Sequence, residues 1–288
     1  MIEIIQGDCV QKLTRLKPKT VNTCITSPPY WLLRDYGTGT WKGGRADCDH
    51  RGDAMRSWHL SSGISAPKEF YQKEWPKCGA IRTEDKQLGL EETPEKFIKN
   101  MVRVFTFVKN ALRNDGTLWL NMGDTYQTNL QLTGMPWRLA LALQESGWYL
   151  RQDIIWHKPN PMPESVKNRC TKSHEYIFLF SKTKKYYFDH AGIMEEATRQ
   201  EGLRAKRSVW TQSADSAPSS EHFATYPRKL IEPCIIAGSP KGGVVLDPFA
   251  GLGTTGIVAE NLSRDSIMIE LSKEYIKEMR KRITKYTR

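Results

Sequence analysis

Residues 244–261 read VVLDPFAGLGTTGIVAEN: a short apolar run, an acidic residue, closely spaced glycines and a second apolar run. This order predicts a buried strand that ends at Asp247, a tight glycine loop, and a helix that begins at Thr254. Glycines in such a loop let the backbone approach a ligand closely. The stretch is therefore typical of a nucleotide or nucleoside site in an α/β sheet.

Two features narrow the ligand that this loop could bind. No lysine follows the glycines in the way that a phosphate-binding P-loop requires. Glu270 ends the next apolar run, SIMIEL at 266–271, where a carboxylate can hold the hydroxyls of a ribose. Together they favour a ligand that contains ribose but no pyrophosphate. For the glycines alone, a plain strand-to-helix turn is the alternative interpretation.

The composition sets the class of protein. The chain has 288 residues, of which 39% are hydrophobic, so it can bury a core and is not disordered as a whole. This length fits one domain, residues 1–288, with insertions. Lys and Arg outnumber Asp and Glu by 43 to 32, and the net charge of +11 favours a polyanionic partner. A basic surface without a specific partner is the alternative.

Cysteine usage and the N-terminus indicate the compartment. Six cysteines are scattered along the chain, which is typical of reduced thiols and not of a disulfide framework. The first residues show no basic segment followed by an apolar one, and no run approaches the length of a membrane span. We therefore expect a soluble, cytoplasmic protein that has no membrane partner.

Apolar runs with the period of strands alternate with runs of helical spacing along most of the chain. The alternation predicts a doubly wound α/β sheet, in which ligands bind at the carboxyl ends of the strands. Residues 37–87 and 189–222 lack the pattern and are predicted to be inserted loop regions. The predicted strands are 2–5, 21–26, 117–123, 149–158, 174–182, 243–247 and 266–271, and the predicted helices are 10–16, 94–112, 135–147, 227–237, 254–262 and a basic C-terminal run.

A second loop, Ser27-Pro28-Pro29-Tyr30, follows the predicted strand at 21–26. Its two prolines fix the backbone, so that a carbonyl and the serine hydroxyl can point rigidly at one spot. The alternative is a turn that ends the strand with an aromatic plug. Because the glycine loop also follows a predicted strand, both loops are expected at the ligand-binding edge of the sheet.

Residues 247–255, DPFAGLGTT, and residues 27–30 resemble the two signature motifs of DNA amino-methyltransferases, D-P-F-x-G-x-G-T-T and [DNS]-P-P-[YFW]. The catalytic motif precedes the cofactor motif, which resembles the β arrangement of that family. The resemblance implies a Rossmann-like sheet that binds S-adenosylmethionine. The residues that this reading assigns to the cofactor are Asp8, Phe223, Pro227, Asp247, Pro248, Phe249, Ala250, Gly251, Gly253, Thr254, Thr255 and Glu270.

For the catalytic loop, the resemblance implies a target base that swings out of double-stranded DNA and stacks on Tyr30. The amino group of that base would donate hydrogen bonds to Ser27 and to the Pro28 carbonyl, and Pro29 completes the catalytic motif. Positioning in a dry pocket would supply most of the rate. Serine at the first position goes mostly with methylation of cytosine N4, and adenine N6 is the alternative.

Other reactions are also compatible with parts of this pattern. Similar loops present amides of proteins or bases of RNA, and a DNA-binding module could retain an inactive cofactor fold. The motif order and the basic balance favour DNA, and the intact Ser27 and Asp247 favour activity. Cytosine C5 methylation needs a cysteine nucleophile, but Cys234 lies in an apolar helical run and is expected to be buried. The family implies a modification enzyme of a bacterial, archaeal or phage-infected cell, with a cognate restriction endonuclease as a candidate partner.

The first insertion contains a candidate zinc site. Cys48-x-His50 and Cys78-Gly79 resemble part of a C-x-H and C-x-x-C-G pattern found in many similar chains. Trp75 stands where the third ligand of that pattern would be, and His59 could complete the set. The alternative is an exposed loop that becomes ordered only on DNA.

The second insertion, 189–222, occupies the place of the target-recognition region in the β arrangement. Arginine contacts to guanine edges in the major groove are the expected mode of base recognition. Glu195, Glu196 and Glu201 offset much of the positive charge, so a solvated loop is the alternative. The candidate DNA-binding residues are Arg199, Arg204, Lys206, Arg207 and Trp210.

Overall fold

The computed structural model describes residues 1–34, 36, 38–45, 47–48, 74, 77–127, 129–161, 163–197, 201–213 and 226–287. The strands in these ranges are β1 (Ile2–Gln6), β2 (Val21–Thr26), β3 (Thr40–Lys42), β4 (Ile81–Glu84), β5 (Leu112–Met122), β6 (Tyr149–His157), β7 (His174–Ser181), β8 (Glu195–Glu196), β9 (Leu203–Arg204), β10 (Val209–Thr211), β11 (Val244–Asp247) and β12 (Asp265–Glu270). The α-helices are α1 (Cys9–Leu13), α2 (Pro94–Ala111), α3 (Met135–Glu145), α4 (Arg228–Gly238), α5 (Thr254–Asn261) and α6 (Lys273–Tyr286).

The central sheet has eight strands in the order β1-β12-β11-β2-β5-β7-β6-β10. β7 runs antiparallel to β5 and β6, and the other neighbouring pairs are parallel. The order reverses between β11 and β2, which is where open α/β sheets form a ligand crevice. The predicted doubly wound, Rossmann-like α/β fold is therefore confirmed.

Helices cover both faces of the sheet because successive strand residues point to opposite sides. In β5, Leu118 lies in the core cluster that contains Phe97 of α2 and Leu139 of α3. The next residue, Trp119, lies in the cluster on the other face, with Leu230 of α4. Both clusters consist of side chains that are at most 9% exposed, and burial of apolar surface on this scale is the main force that holds the layers together.

Several element boundaries differ from the predicted ones. Helix α1 is shorter than the predicted helix at 10–16, and β5 begins at Leu112, five residues before the predicted strand at 117–123. The prediction of an inserted loop over 189–222 was wrong for its later part, since β10 is the edge strand of the central sheet. Val209 pairs with Ile155 of β6, which lies far away in the chain, so the sequence around Val209 does not predict this contact.

The described ends of the first insertion are tied together by a small antiparallel sheet. Strands β3 and β4 pair there, with Trp41 opposite Arg82, and the Arg82 guanidinium lies 5.5 Å from the centre of the Trp41 ring.

None of the helices in the described ranges combines the length and the apolar character that a bilayer span requires.

Candidate functional site

A cavity opens at the carboxyl edge of the sheet, next to the reversal point between β11 and β2. Its walls come from the loops after β1, β2, β4 and β11, from the end of β12 and from the first turn of α6. The predicted site residues that line it are Ser27, Pro29, Pro248, Phe249, Gly251 and Glu270. The structure thus brings the two motifs together, because parallel neighbouring strands end at the same edge.

The buried carboxylate of Asp247 holds the glycine loop in place. It accepts hydrogen bonds from Thr26 Oγ1 at 2.6 Å, Thr255 Oγ1 at 2.6 Å, Tyr226 Oη at 3.0 Å and the Phe249 N–H at 3.0 Å. Burial raises the pKa of Asp247, and these donors oppose the rise. The carboxylate faces these partners and not the cavity, so Asp247 and Thr255 support a ligand only by shaping the loop.

The glycines of this loop have separate tasks. Gly253 has a φ of +76°, and a Cβ there would lie 2.5 Å from Met279 Cγ of α6, so only glycine fits. Gly256 completes a G-x-G-x-x-G spacing with Gly251 and Gly253. It packs α5 against the sheet, since a Cβ there would lie 2.9 Å from Met268 Sδ. Thr254 accepts a hydrogen bond from Arg282 at 3.3 Å.

Glu270 places a carboxylate in the cavity wall. It accepts hydrogen bonds from the Gly251 N–H and the Ser272 N–H, both at 2.8 Å. Burial raises the pKa of Glu270 to about 7, although the two N–H groups lower it. A carboxylate offers about four acceptor positions, so two remain for hydroxyl groups of a ligand.

The cavity also has a cationic wall, which sequence reasoning missed. Arg34 and Lys86 line it together with Tyr36 and Gln87. Gln87 joins the two segments: its Nε2 donates to the Arg34 carbonyl at 2.7 Å, and its Oε1 accepts from the Tyr36 N–H at 2.8 Å. Because these segments flank the first insertion, the insertion is anchored directly on the cavity wall. Nothing in the local pattern around residues 34–38 and 86–88 indicates this.

The Ser27–Tyr30 loop is held by distant parts of the chain. Tyr30 Oη donates to Glu175 Oε2 at 2.7 Å, and Ser27 Oγ donates to Tyr30 Oη at 3.3 Å. Trp31, the next residue, is buried and donates from Nε1 to the Glu91 carbonyl at 2.8 Å, which fixes the end of the loop. Sequence reasoning missed Glu175, because an isolated acidic residue at the start of an apolar strand carries no motif.

The remaining predicted cofactor residues lie at the margin. Asp8 caps α1 by accepting from the Gln11 N–H at 2.8 Å, and its neighbours Gly7 and Cys9 line the cavity. Pro227 immediately precedes α4, and Ala250 is a buried residue of the glycine loop. Phe223 lies outside the described residues.

The candidate DNA-binding residues that the structure describes lie in two different environments. The side chains of Arg204, Lys206 and Arg207 converge on Glu195, at 3.1, 3.8 and 3.1 Å. The prediction that Trp210 contacts DNA was wrong. Its side chain is only 8% exposed, its ring centre lies 6.4 Å from that of Trp119, and its Nε1 donates to a backbone carbonyl, so Trp210 belongs to the core. Arg199 lies outside the described residues.

The zinc prediction stays a prediction. Cys48 and Cys78 are half-buried, whereas His50, His59 and Trp75 lie outside the described residues. Within the described ranges, no three His, Cys, Asp or Glu side chains cluster in a way that could hold a metal ion. Cys234 is buried as predicted, and burial raises the pKa of its thiol far above the usual range.

Comparison with known proteins gives a consistent result. The model of a DNA methylase family, of the N6/N4 type, matches residues 21–281. The Type II methyltransferase M.SmaI of Serratia marcescens is 38% identical over 98% of this chain and 90% of its own length. The fold is similar to that of the cytosine-N4-specific PvuII DNA methyltransferase, with a TM-score of 0.69, 18% identity and coverage of 99% and 91% of the two chains. It is also similar to an M1.HpyAVI–SAM complex, with a TM-score of 0.59, 19% identity and coverage of 98% and 99%.

Proposed function

The chain belongs to the N6/N4 DNA methylase family, and we propose that it methylates the N4 amino nitrogen of cytosine in double-stranded DNA, with S-adenosylmethionine as methyl donor. Adenine N6 is the alternative acceptor within the same family. M.SmaI is a Type II methyltransferase, and we assign this chain a place in a restriction-modification system on that likeness.

One observation carries the proposal: the two signature loops share one cavity. Ser27 and Pro29 line it from β2, and Gly251 lines it from the neighbouring strand β11. Methyl transfer in line requires the acceptor nitrogen and the methyl carbon to meet within about 3–3.5 Å. A cavity between the two loops supports that meeting, since a ligand on the glycine loop would reach the serine loop.

The residues of the cavity fit S-adenosylmethionine. The Glu270 carboxylate suits ribose hydroxyls, and Arg34 and Lys86 suit the methionyl carboxylate. The apolar side chains that line the cavity, Leu88, Phe249, Leu252 and Ile269, suit the adenine ring. The bound molecule supplies a methyl group on a cationic sulfur; the amino nitrogen forms a bond to that carbon as the carbon–sulfur bond breaks, and a proton leaves the nitrogen. These charges and the apolar surface are what an adenosyl group joined to an amino acid requires.

The residues of the serine loop would position the acceptor. Ser27 Oγ and the Pro28 carbonyl accept hydrogen bonds from the amino group, and the Tyr30 ring stacks on the flipped base. Pro28 is buried and the two prolines restrict the backbone of the loop, so these acceptors need little reorganisation when a base enters. Serine favours cytosine, as the resemblance implies, and the net charge of +11 favours DNA. Arg204, Lys206 and Arg207 remain our candidates for DNA contact.

Incubation of the protein with tritiated S-adenosylmethionine and unmethylated duplex DNA, followed by nuclease digestion and chromatography, tests the proposal. We expect label in N4-methylcytosine. Label in N6-methyladenine would keep the reaction and overturn the assignment of cytosine. Label in RNA or protein, offered in parallel, with none in DNA would overturn the DNA substrate.

A further inference from the structure

Three donors converge on the Glu175 carboxylate behind the serine loop. Tyr30 Oη donates to Oε2 at 2.7 Å, Asn121 Nδ2 donates to the same oxygen at 3.2 Å, and Lys158 Nζ donates to Oε1. Ser27 Oγ in turn donates to Tyr30 Oη at 3.3 Å. The result is a continuous chain of hydrogen bonds from the cavity wall to a carboxylate.

The chemistry of each group fixes the direction of this chain. An ionised carboxylate can only accept, so the single Tyr30 hydroxyl proton must point at Glu175. The phenol oxygen is then free only to accept, and the single proton of Ser27 points at it. As a consequence, both lone pairs of Ser27 Oγ are left for a ligand in the cavity.

Glu175 is held in its ionised form by its surroundings. Burial alone would raise the pKa of Glu175, but the charge of Lys158 and the hydrogen bonds from Lys158, Tyr30 and Asn121 outweigh it, and the pKa lies below its usual range. Burial and the Glu175 charge raise the pKa of Tyr30 well above its usual range, so Tyr30 stays a donor. Near neutral pH, Glu175 therefore stays ionised and Tyr30 stays protonated, so the direction of the hydrogen bonds does not change.

The packing around this contact is specific. A Cβ at Gly123 would lie 2.8 Å from Tyr30 Cε2 and 3.2 Å from Glu175 Cδ, so a glycine stands where the two side chains meet. β7 runs antiparallel to β6, and Glu175 pairs with Trp156 near the end of β6, which places its side chain at the catalytic edge. Asn121 at the end of β5, Lys158 just after β6 and Glu175 at the start of β7 thus meet at one point.

We propose that Glu175 is a positioning residue, which acts through Tyr30 to keep Ser27 Oγ an acceptor toward an amino group. The inference rests on the proposed function, in which the substrate nitrogen donates to Ser27. If the chain reversed, the Ser27 proton would point into the cavity, against the N–H of the substrate. Glu175 would then decide which kinds of group the serine loop accepts: amino groups rather than carbonyl oxygens.

Glu175→Gln reverses the chain with a side chain of almost the same shape, and it also removes the hydrogen bond from Asn121 Nδ2, which keeps its bond to the Tyr176 carbonyl at 3.1 Å. The Gln amide oxygen must face Lys158, because an amide NH2 against an ammonium is repulsive, and the NH2 then faces Tyr30. Tyr30 must accept from it and donate to Ser27. We expect the single-turnover rate of methyl transfer to DNA to fall roughly 10- to 100-fold, with the Kd for S-adenosylmethionine, from calorimetry, changed less than twofold.

A double-mutant cycle separates positioning from a general structural role. In a Ser27→Ala background the acceptor oxygen is absent, so Glu175→Gln should change the residual rate less than twofold. The matched control is Glu164→Gln, which removes a carboxylate of similar exposure from an ion pair with Arg169 (15% and 19% exposed, against 16% and 23% for Glu175 and Lys158). We expect the control to keep its rate within twofold.

Equal losses from Glu175→Gln in both backgrounds would overturn the inference, because they would mean that Glu175 merely supports the fold. If the circular dichroism melt shows that Glu175→Gln does not fold, Tyr30→Phe replaces it in the same cycle, since this change cuts the chain but keeps the ring. A wild-type protein that leaves DNA unlabelled would instead overturn the proposed function, and this inference with it. A labelled wild type with additive losses overturns the inference alone.

Discussion

The glycine loop and the serine loop face the same cavity but are organised differently. The glycine loop presents backbone, and its organiser Asp247 has two of its partners, Phe249 and Thr255, two and eight residues away. The serine loop presents side chains, and Tyr30 is held by Glu175, 145 residues away. Part of the support for the glycine loop is therefore local, although Thr26 and Tyr226 also donate to Asp247, whereas the contact that holds Tyr30 depends entirely on how the sheet assembles. Stability and catalysis should respond differently to changes in the two loops.

The largest effect is expected from Asp247→Ala. Buried hydroxyls of Thr26, Tyr226 and Thr255 would lose a charged acceptor, and we expect the free energy of unfolding to fall by about 3 kcal/mol. Urea denaturation measures this. Asp265→Ala removes an exposed carboxylate at the start of β12 and should cost less than about 1 kcal/mol. Similar losses in the two variants would contradict the role of Asp247 as organiser.

Tyr30→Ala tests the other loop. We expect it to lower the methylation rate roughly 100-fold, because both the stacking surface and the link to Glu175 are lost. The Kd for S-adenosylmethionine should change less than about threefold. Tyr149→Ala, at the opposite end of the sheet, serves as the control and should leave the rate unchanged. Equal losses in rate and in cofactor affinity would remove the distinction between the loops.

Glu270 should make cofactor binding dependent on pH. Its pKa is about 7, and the ionised form is the one that accepts from ribose hydroxyls, so affinity should rise as the pH increases through 7. Between pH 6 and pH 8 we expect roughly a tenfold gain in affinity, with proton release below pH 7 visible in calorimetry. Glu270→Gln should abolish the dependence. A wild-type affinity that is flat over this range would show that Glu270 does not contact the cofactor.

The smallest effect is expected outside both loops. Glu195 offsets Arg204, Lys206 and Arg207, so Glu195→Ala should tighten DNA binding about threefold at low salt, and Arg207→Ala should weaken it by about the same factor. Fluorescence anisotropy with duplex DNA measures both. Unfolding and cofactor affinity should not change. No change in DNA binding by either variant would place this cluster away from the DNA.

The sequence predicted the frame of the site well because its signals are local. Strand, glycine turn and helix at 244–261 follow from apolar spacing, and the Thr93–Pro94 start of α2 follows from the cap, since Thr93 Oγ1 accepts from the Lys96 N–H. The same reasoning misjudged Trp210, where an aromatic among basic residues suggested a DNA contact. A single short strand such as β10 gains its burial from β6 and Trp119, which lie far away in the chain.

What the sequence by itself determined is the α/β fold and the two loops at the carboxyl edge of the sheet. Only the tertiary structure decided that Asp247 turns inward, that Arg34 and Lys86 form one wall, and that Glu175 and Lys158 stand behind Tyr30. The physical reason is distance along the chain. Turns, caps and apolar periods act over a few residues, whereas the half-buried ion pair of Lys158 and Glu175 exists only after strands β6 and β7 have paired.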